Sequence, residues 1–125
     1  MKTIAFQGED GAFSQEAIFE MFGAETQTLA CPTFVDIFRA VEEHRADLGM
    51  LPIENSTAGA INQSYDLLLD YDLRITREVI FRVRHALIAA PGVERQDIQR
   101  VYSHPQALAQ CEQKGRRVAQ AIKAE

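Results

Sequence analysis

Five residues, Thr3-Ile4-Ala5-Phe6-Gln7, read as a short strand that runs directly into Gly8-Glu9-Asp10-Gly11 and then into a helical pattern. Ala17, Ile18, Met21 and Phe22 share one face at i, i+1, i+4 and i+5, with Ser14 set to cap a helix from Gln15 and Gly23 to stop it. Strand, glycine turn and helix in that order bury a sheet face under the helix, which predicts an α/β layered fold with a largely parallel sheet. Residues 26–31 repeat the pattern as a second strand closed by Pro32, and Thr33 caps a helix whose Phe34, Ile37, Phe38 and Val41 recur at i, i+3, i+4 and i+7. Residues 47–53 form a third strand that Pro52 turns out of the sheet, so that Glu54-Asn55-Ser56 project into a loop.

The second half is less regular. Residues 61–71 are predicted helical, with Ile61, Tyr65, Leu68 and Leu69 on one side. From Arg74 to Ala89 the pattern alternates: Val79, Phe81, Val83, His85, Leu87 and Ala89 form one face, and Ile80, Arg82, Arg84, Ala86 and Ile88 the other. Pro91-Gly92 reads as a turn, 95–98 as a short turn or helical piece, and Val101-Tyr102 as a brief strand entering Ser103-His104-Pro105-Gln106. A chain of 125 residues fits one compact domain, and neither a repeat nor a flexible linker interrupts it.

Charge narrows the partners. The net charge of −5 offers no broad attraction to a polyphosphate backbone, so nucleic acid is not expected. Residues 1–62 hold three basic and ten acidic side chains, whereas residues 63–125 hold ten and eight, so an anion would find its fixed cations mainly in the second half. Arg74, Arg77, Arg82 and Arg84 are the obvious supply, although such a cluster is commonly a solvated strand face. No apolar run approaches the ~20 residues of a membrane span, and the N-terminus reaches Glu9-Asp10 too soon for a secretory signal. Cys31 and Cys111 stand far apart and His44, His85 and His104 show no ligand spacing, so two buried thiols, no metal and a cytoplasmic location are expected.

Three segments have the residues for chemistry. Ser103, Pro105 and Gln106 form a capping box, and at ~100° per residue Ser103, Gln106 and Gln110 share one row opposite an apolar back of Leu108, Cys111, Val118 and Ile122. A solvated face and a ligand face both fit that row. Glu54-Asn55-Ser56 lies where ligands collect in open α/β sheets, at the carboxyl end of a strand, yet a plain turn with Asn55 and Ser56 bonding their own backbone fits as well. Gly8-Glu9-Asp10-Gly11 has two acidic residues and no Lys-Ser/Thr, which argues against a phosphate loop, but the helix after it can turn Ser14 and its N-terminus toward a smaller anion. His104, beside Pro105, is either functional or structural.

Read together, Gly8-Glu9-Asp10-Gly11-Ala12-Phe13-Ser14-Gln15-Glu16-Ala17, Pro52-Ile53-Glu54-Asn55-Ser56-Thr57-Ala58-Gly59 and Tyr102-Ser103-His104-Pro105-Gln106-Ala107-Leu108-Ala109-Gln110-Cys111 resemble prephenate dehydratase in order and spacing. The resemblance implies a two-lobed α/β domain similar to periplasmic binding proteins, here truncated, with its active site in the cleft and no cofactor. The activity it implies is conversion of the dicarboxylate prephenate to phenylpyruvate in phenylalanine synthesis, by a homo-oligomer. It carries catalytic roles onto Glu54, Asn55, Ser103 and Gln110. The residue patterns add Ser14, Ser56, His104 and Gln106 as substrate contacts. Loss of carbon dioxide and of the ring hydroxyl makes the ring aromatic, so the departing oxygen needs a proton or a strong hydrogen bond, and Glu54 is suited to that only where burial raises its pKa.

The family pattern also includes a Thr-Arg-Phe motif and a phenylalanine-sensing regulatory domain, neither of which occurs in these residues. Residues 1–111 are thus expected to be an incomplete dehydratase-like domain and residues 112–125 a divergent helical tail, such as a premature end or a shifted reading frame produces. Uncovered apolar edges around 79–89 would then favour self-association. A non-catalytic anion-binding module and an inactive fragment are the rival readings, and arogenate is an alternative substrate.

Overall fold

The computed structural model describes residues 2–55, 59–103 and 105–110, the side chains of Gln106, Ala109 and Gln110 excepted. It divides into two compact units, Met1–Arg82 and Val83–Glu125. In the first, β1 (Thr3–Gln7) is the centre of a parallel sheet of order β2-β1-β3, with β2 at Gln27–Cys31 and β3 at Leu48–Gly49. The strand is apolar throughout its middle because both of its faces are covered. Ile4 and Phe6 pack with Ile18 of α1 (Phe13–Phe22), while Ala5 packs with Ile37 and Ala40 of α2 (Phe34–Glu42). Successive strand residues face opposite sides, so the two helices lie on opposite faces of the sheet. The α/β class and its parallel sheet are as the sequence predicts.

Close approach of α2 depends on Gly49, where a β-carbon would lie 2.5 Å from Cγ2 of buried Ile37. The α2 N-terminus is closed as expected by Thr33, whose hydroxyl accepts from the Asp36 amide while the Asp36 carboxylate accepts from the Thr33 amide. At the other end the His44 amide donates to Val41 O and the Arg45 amide to Ala40 O, a Schellman arrangement with His44 at φ 60 in the position usually taken by glycine. An L-residue there costs roughly 1–2 kcal/mol, and glycine's extra chain entropy returns about 0.5–1 kcal/mol of that. His44→Gly is therefore expected to raise stability by about 0.5–1 kcal/mol, seen as a higher urea midpoint with an unchanged slope.

Several sequence expectations need correction. Helix α1 starts at Phe13, not Gln15, and its cap residue is Ala12 without a side-chain cap, so Ser14 sits inside the first turn. Gln15 takes over the capping work: its Oε1 accepts from the Gly11 amide at 2.6 Å, and its Nε2 donates to Asp10 Oδ1 and to Thr28 Oγ1 on β2. The third strand keeps only Leu48–Gly49, extended by the Asp47 amide on Thr3 O and the Met50 amide on Ala5 O. Beyond it the chain forms a hairpin rather than a loop, since β4 (Glu54–Asn55) pairs antiparallel with β5 (Gly59–Ala60), and the Ile61 amide donates to Ile53 O at its base.

Helix α3 (Asn62–Asp70) turns Ser64 and Leu67 inward, whereas Tyr65 and Leu69, expected on the apolar side, are exposed. Tyr71 just beyond it packs on Phe38 of α2 with ring centroids 5.2 Å apart, which fixes the rotation. The 74–89 stretch and Val101-Tyr102 belong to no ladder among the described residues. The expected alternation survives only in part as exposure: Ile80 and Ile88 are open and Val79, Phe81 and His85 half-buried, but Val83, Leu87 and Ala89 of the same face are exposed. A period of two decides which side is apolar and says nothing about a pairing strand. The second unit otherwise contains a 3-10 turn at Arg95–Asp97, as expected for 95–98, and α4 (Pro105–Gln110). The boundary expected after Cys111 lies outside the described residues.

Candidate functional site at the carboxyl edge of the sheet

The order β2-β1-β3 means that the chain moves from β1 to one side, then crosses back to pair on the other. At such a reversal the loops after the two adjacent strands diverge to opposite faces and leave a crevice at their carboxyl ends. Two of the three segments singled out in the sequence leave the sheet here. The Gly8–Gly11 turn comes after β1, and Met50 to Asn55 come after β3.

The first segment is shaped by its glycines. Gly8 at φ 126 and Gly11 at φ 95 occupy backbone regions that other residues rarely adopt, and a β-carbon on Gly8 would meet that of Ala12 at 3.1 Å. The Gly8 amide donates to Cys31 O, the Ala12 amide to Glu9 O, and Gln15 ties Asp10 and Gly11 to β2 from a side chain that is itself buried. Sequence reasoning missed Gln15. The signal was a glutamine at the third helical position, the usual place for a side chain that reaches back over a helix start. This rigid turn presents the N-terminus of ten-residue α1, whose dipole favours negative charge, with Ser14 half-buried in the first turn.

The second segment carries Glu54, which is exposed, and Asn55, which is half-buried. Burial of the kind that would adapt Glu54 to proton donation is therefore not supplied by the described residues. Behind them Ser64 is wholly buried, and its Oγ donates to Pro52 O at 2.6 Å. That residue was also missed, because a serine in a helix interior gives no periodic signal.

Ser103 is exposed and precedes α4 in the second unit. Ser56, His104 and the side chains of Gln106 and Gln110 lie outside the described residues, so their expected roles are carried by sequence alone. Cys31 is buried as expected; burial pushes its thiol up, with nearby Asp36 adding to the effect and Arg45 opposing it, so it is held as the inert thiol. Among the described residues no cluster of His, Cys, Asp and Glu is placed to hold a metal ion, and no helix is long and apolar enough to cross a membrane.

The chain is 47% identical over 108 residues to arogenate dehydratase/prephenate dehydratase 1 of Arabidopsis thaliana, a match covering 86% of this chain and 27% of the relative. It thus spans about a quarter of that relative's length. Its structure is similar to that of a prephenate dehydratase from Arthrobacter aurescens in complex with L-Phe, at TM-score 0.78 and 30% identity over 98% of this chain and 41% of the other. It is similar also to GqqA, described as a novel type of quorum quenching acylase, at TM-score 0.81 and 35% identity over 99% and 44%. The family model for prephenate dehydratase matches residues 4–124, nearly the whole sequence and all three of the segments picked out by their chemistry, and the chain belongs to that family.

Proposed function

We propose that this chain is part of a dehydratase that converts prephenate to phenylpyruvate with loss of water and carbon dioxide, in phenylalanine synthesis. Arogenate, which carries an amino group in place of the keto group, is the alternative substrate. One observation carries the reading: the Gly8–Gly11 turn with the α1 N-terminus and the Glu54–Asn55 hairpin leave the carboxyl ends of adjacent parallel strands where the strand order reverses.

The chemistry asks for such a setting. Prephenate is a dianion, and its conversion takes up one proton as the ring hydroxyl leaves as water and a carboxylate leaves as carbon dioxide. Aromatisation supplies the driving force, so the protein's task is to orient the carboxylates and assist the departing oxygen. Asn55 offers two amide donors, and the α1 N-terminus offers a partial positive charge; both stabilise anions without becoming protonated. On this reading Asn55, Ser103 and Gln110 contact the substrate, Glu54 stands near the departing hydroxyl, and Ser14, Ser56, His104 and Gln106 complete the contacts. A cytoplasmic location and pairing of chains go with it.

The likeness to GqqA, higher in identity and TM-score than that to the Arthrobacter enzyme, favours a second reading, hydrolysis of an acyl amide. One chimera separates the two. Residues 3–110 of this chain replace the matching segment of the Arabidopsis relative, and the product is assayed with prephenate, with arogenate and with an N-acylated amine. Phenylpyruvate from prephenate, read by its absorbance in alkali, is the expected product; phenylalanine from arogenate instead would favour the alternative substrate of the same dehydratase reading. A folded chimera that releases only free amine would replace the dehydratase reading by the second, and one that forms no product would remove both.

A further inference from the structure

Ser64 is 0% exposed and lies on the buried face of α3, a position that an apolar residue would ordinarily fill. A serine inside a helix usually returns its hydroxyl to the carbonyl one turn back. Here the hydroxyl instead donates at 2.6 Å to Pro52 O, twelve residues earlier and two residues before Glu54. The next carbonyl along, Ile53 O, accepts the Ile61 amide at 2.8 Å at the base of the hairpin, so the two consecutive carbonyls before Glu54 are held, one by Ser64 of α3 and the other by the residue that precedes α3. Packing alone is non-directional and lets a strand slide or tilt; a short hydrogen bond fixes both distance and angle. Tyr71 against Phe38 in turn holds α3 on α2, which places the anchor on the sheet itself.

We infer that Ser64 is a positioning residue that sets the direction in which the Glu54–Asn55 hairpin leaves the sheet, acting through the Pro52 carbonyl and touching no substrate. Its consequence for ligand binding rests on the proposed dehydratase function. Its consequence for the hairpin does not.

Amide hydrogen exchange and a prephenate titration on the intact chain test it in S64A and S64T. Losing the hydroxyl removes this partner from a part-buried carbonyl. S64A is expected to speed exchange at the Ile61 amide about tenfold while leaving Ala5 and Phe6 unchanged, and to weaken prephenate binding about three- to tenfold. S64T, which keeps the hydroxyl, restores both. Unchanged exchange at Ile61, or equal acceleration at Ile61, Ala5 and Phe6, overturns the inference, because the second pattern is a general loss of stability. Should S64A not fold, S64C keeps the volume with a weaker donor and is expected to show the same local acceleration in smaller measure. If the parent chain takes up no prephenate, the functional reading falls, while the exchange pattern still decides the role of Ser64.

Discussion

Phe6→Ala is expected to remove about 3–5 kcal/mol of stability, the cost of emptying a phenylalanine site that cannot collapse. Phe6 is 0% exposed on the central strand and packs with Ile4 and Ile18, with Ala12, Phe22, Leu48 and Met50 around them. The cavity would open under α1, at the start of which the Gly8–Gly11 turn is built, so site and core are lost together. Domains of this size hold only about 5–15 kcal/mol in total. Urea unfolding followed by circular dichroism should show the transition moved to much lower denaturant or lost. A midpoint within experimental error of the parent would mean that Phe6 does not occupy the core described here.

Asn55→Ala is expected to lower phenylpyruvate formation by the chimera about 10²–10³-fold, the usual effect of deleting one preorganised donor to a developing anion. Asn55→Asp should be at least as damaging, because it replaces two donors by a negative charge facing a dianionic substrate. Both variants should keep the parental circular dichroism spectrum, since Asn55 is a half-buried hairpin residue rather than a core one. A loss of less than about fivefold would demote Asn55 from the substrate contacts.

The parts of the fold legible in the sequence are those whose signals are local. Thr33 and Asp36 make their capping box within four residues, and Gly23 stops α1, donating its amide to Phe19 O, whatever lies elsewhere. Ile37 and Phe38 are buried because helical spacing alone puts them on one face. Legibility ends where a residue answers to a distant partner. Gln15 of α1 is fixed by Thr28 on β2, and Ser64 by a carbonyl twelve residues away. The buried face of α3 is Ser64 and Leu67, beside Tyr71 meeting Phe38, and not the side of Tyr65 and Leu69 that its spacing suggests. Likewise Val79 to Ala89 carry a clear alternation and no record of which strand they would pair with. The candidate site shows the same division: the Gly8 turn and the Glu54–Asn55 segment were visible as motifs, but their departure from adjacent strands depends on the order β2-β1-β3, which no local pattern encodes.

Titrating the isotopically labelled chain with prephenate tests the central claim most directly. Backbone amide signals of Gly8, Gly11, Ser14 and Asn55, at the carboxyl edge of the sheet, should shift together along one saturable curve, while those of His44 and Arg45, at the far end of α2, stay in place. Saturable shifts confined to residues away from that edge, or none at any concentration of prephenate, would contradict the account.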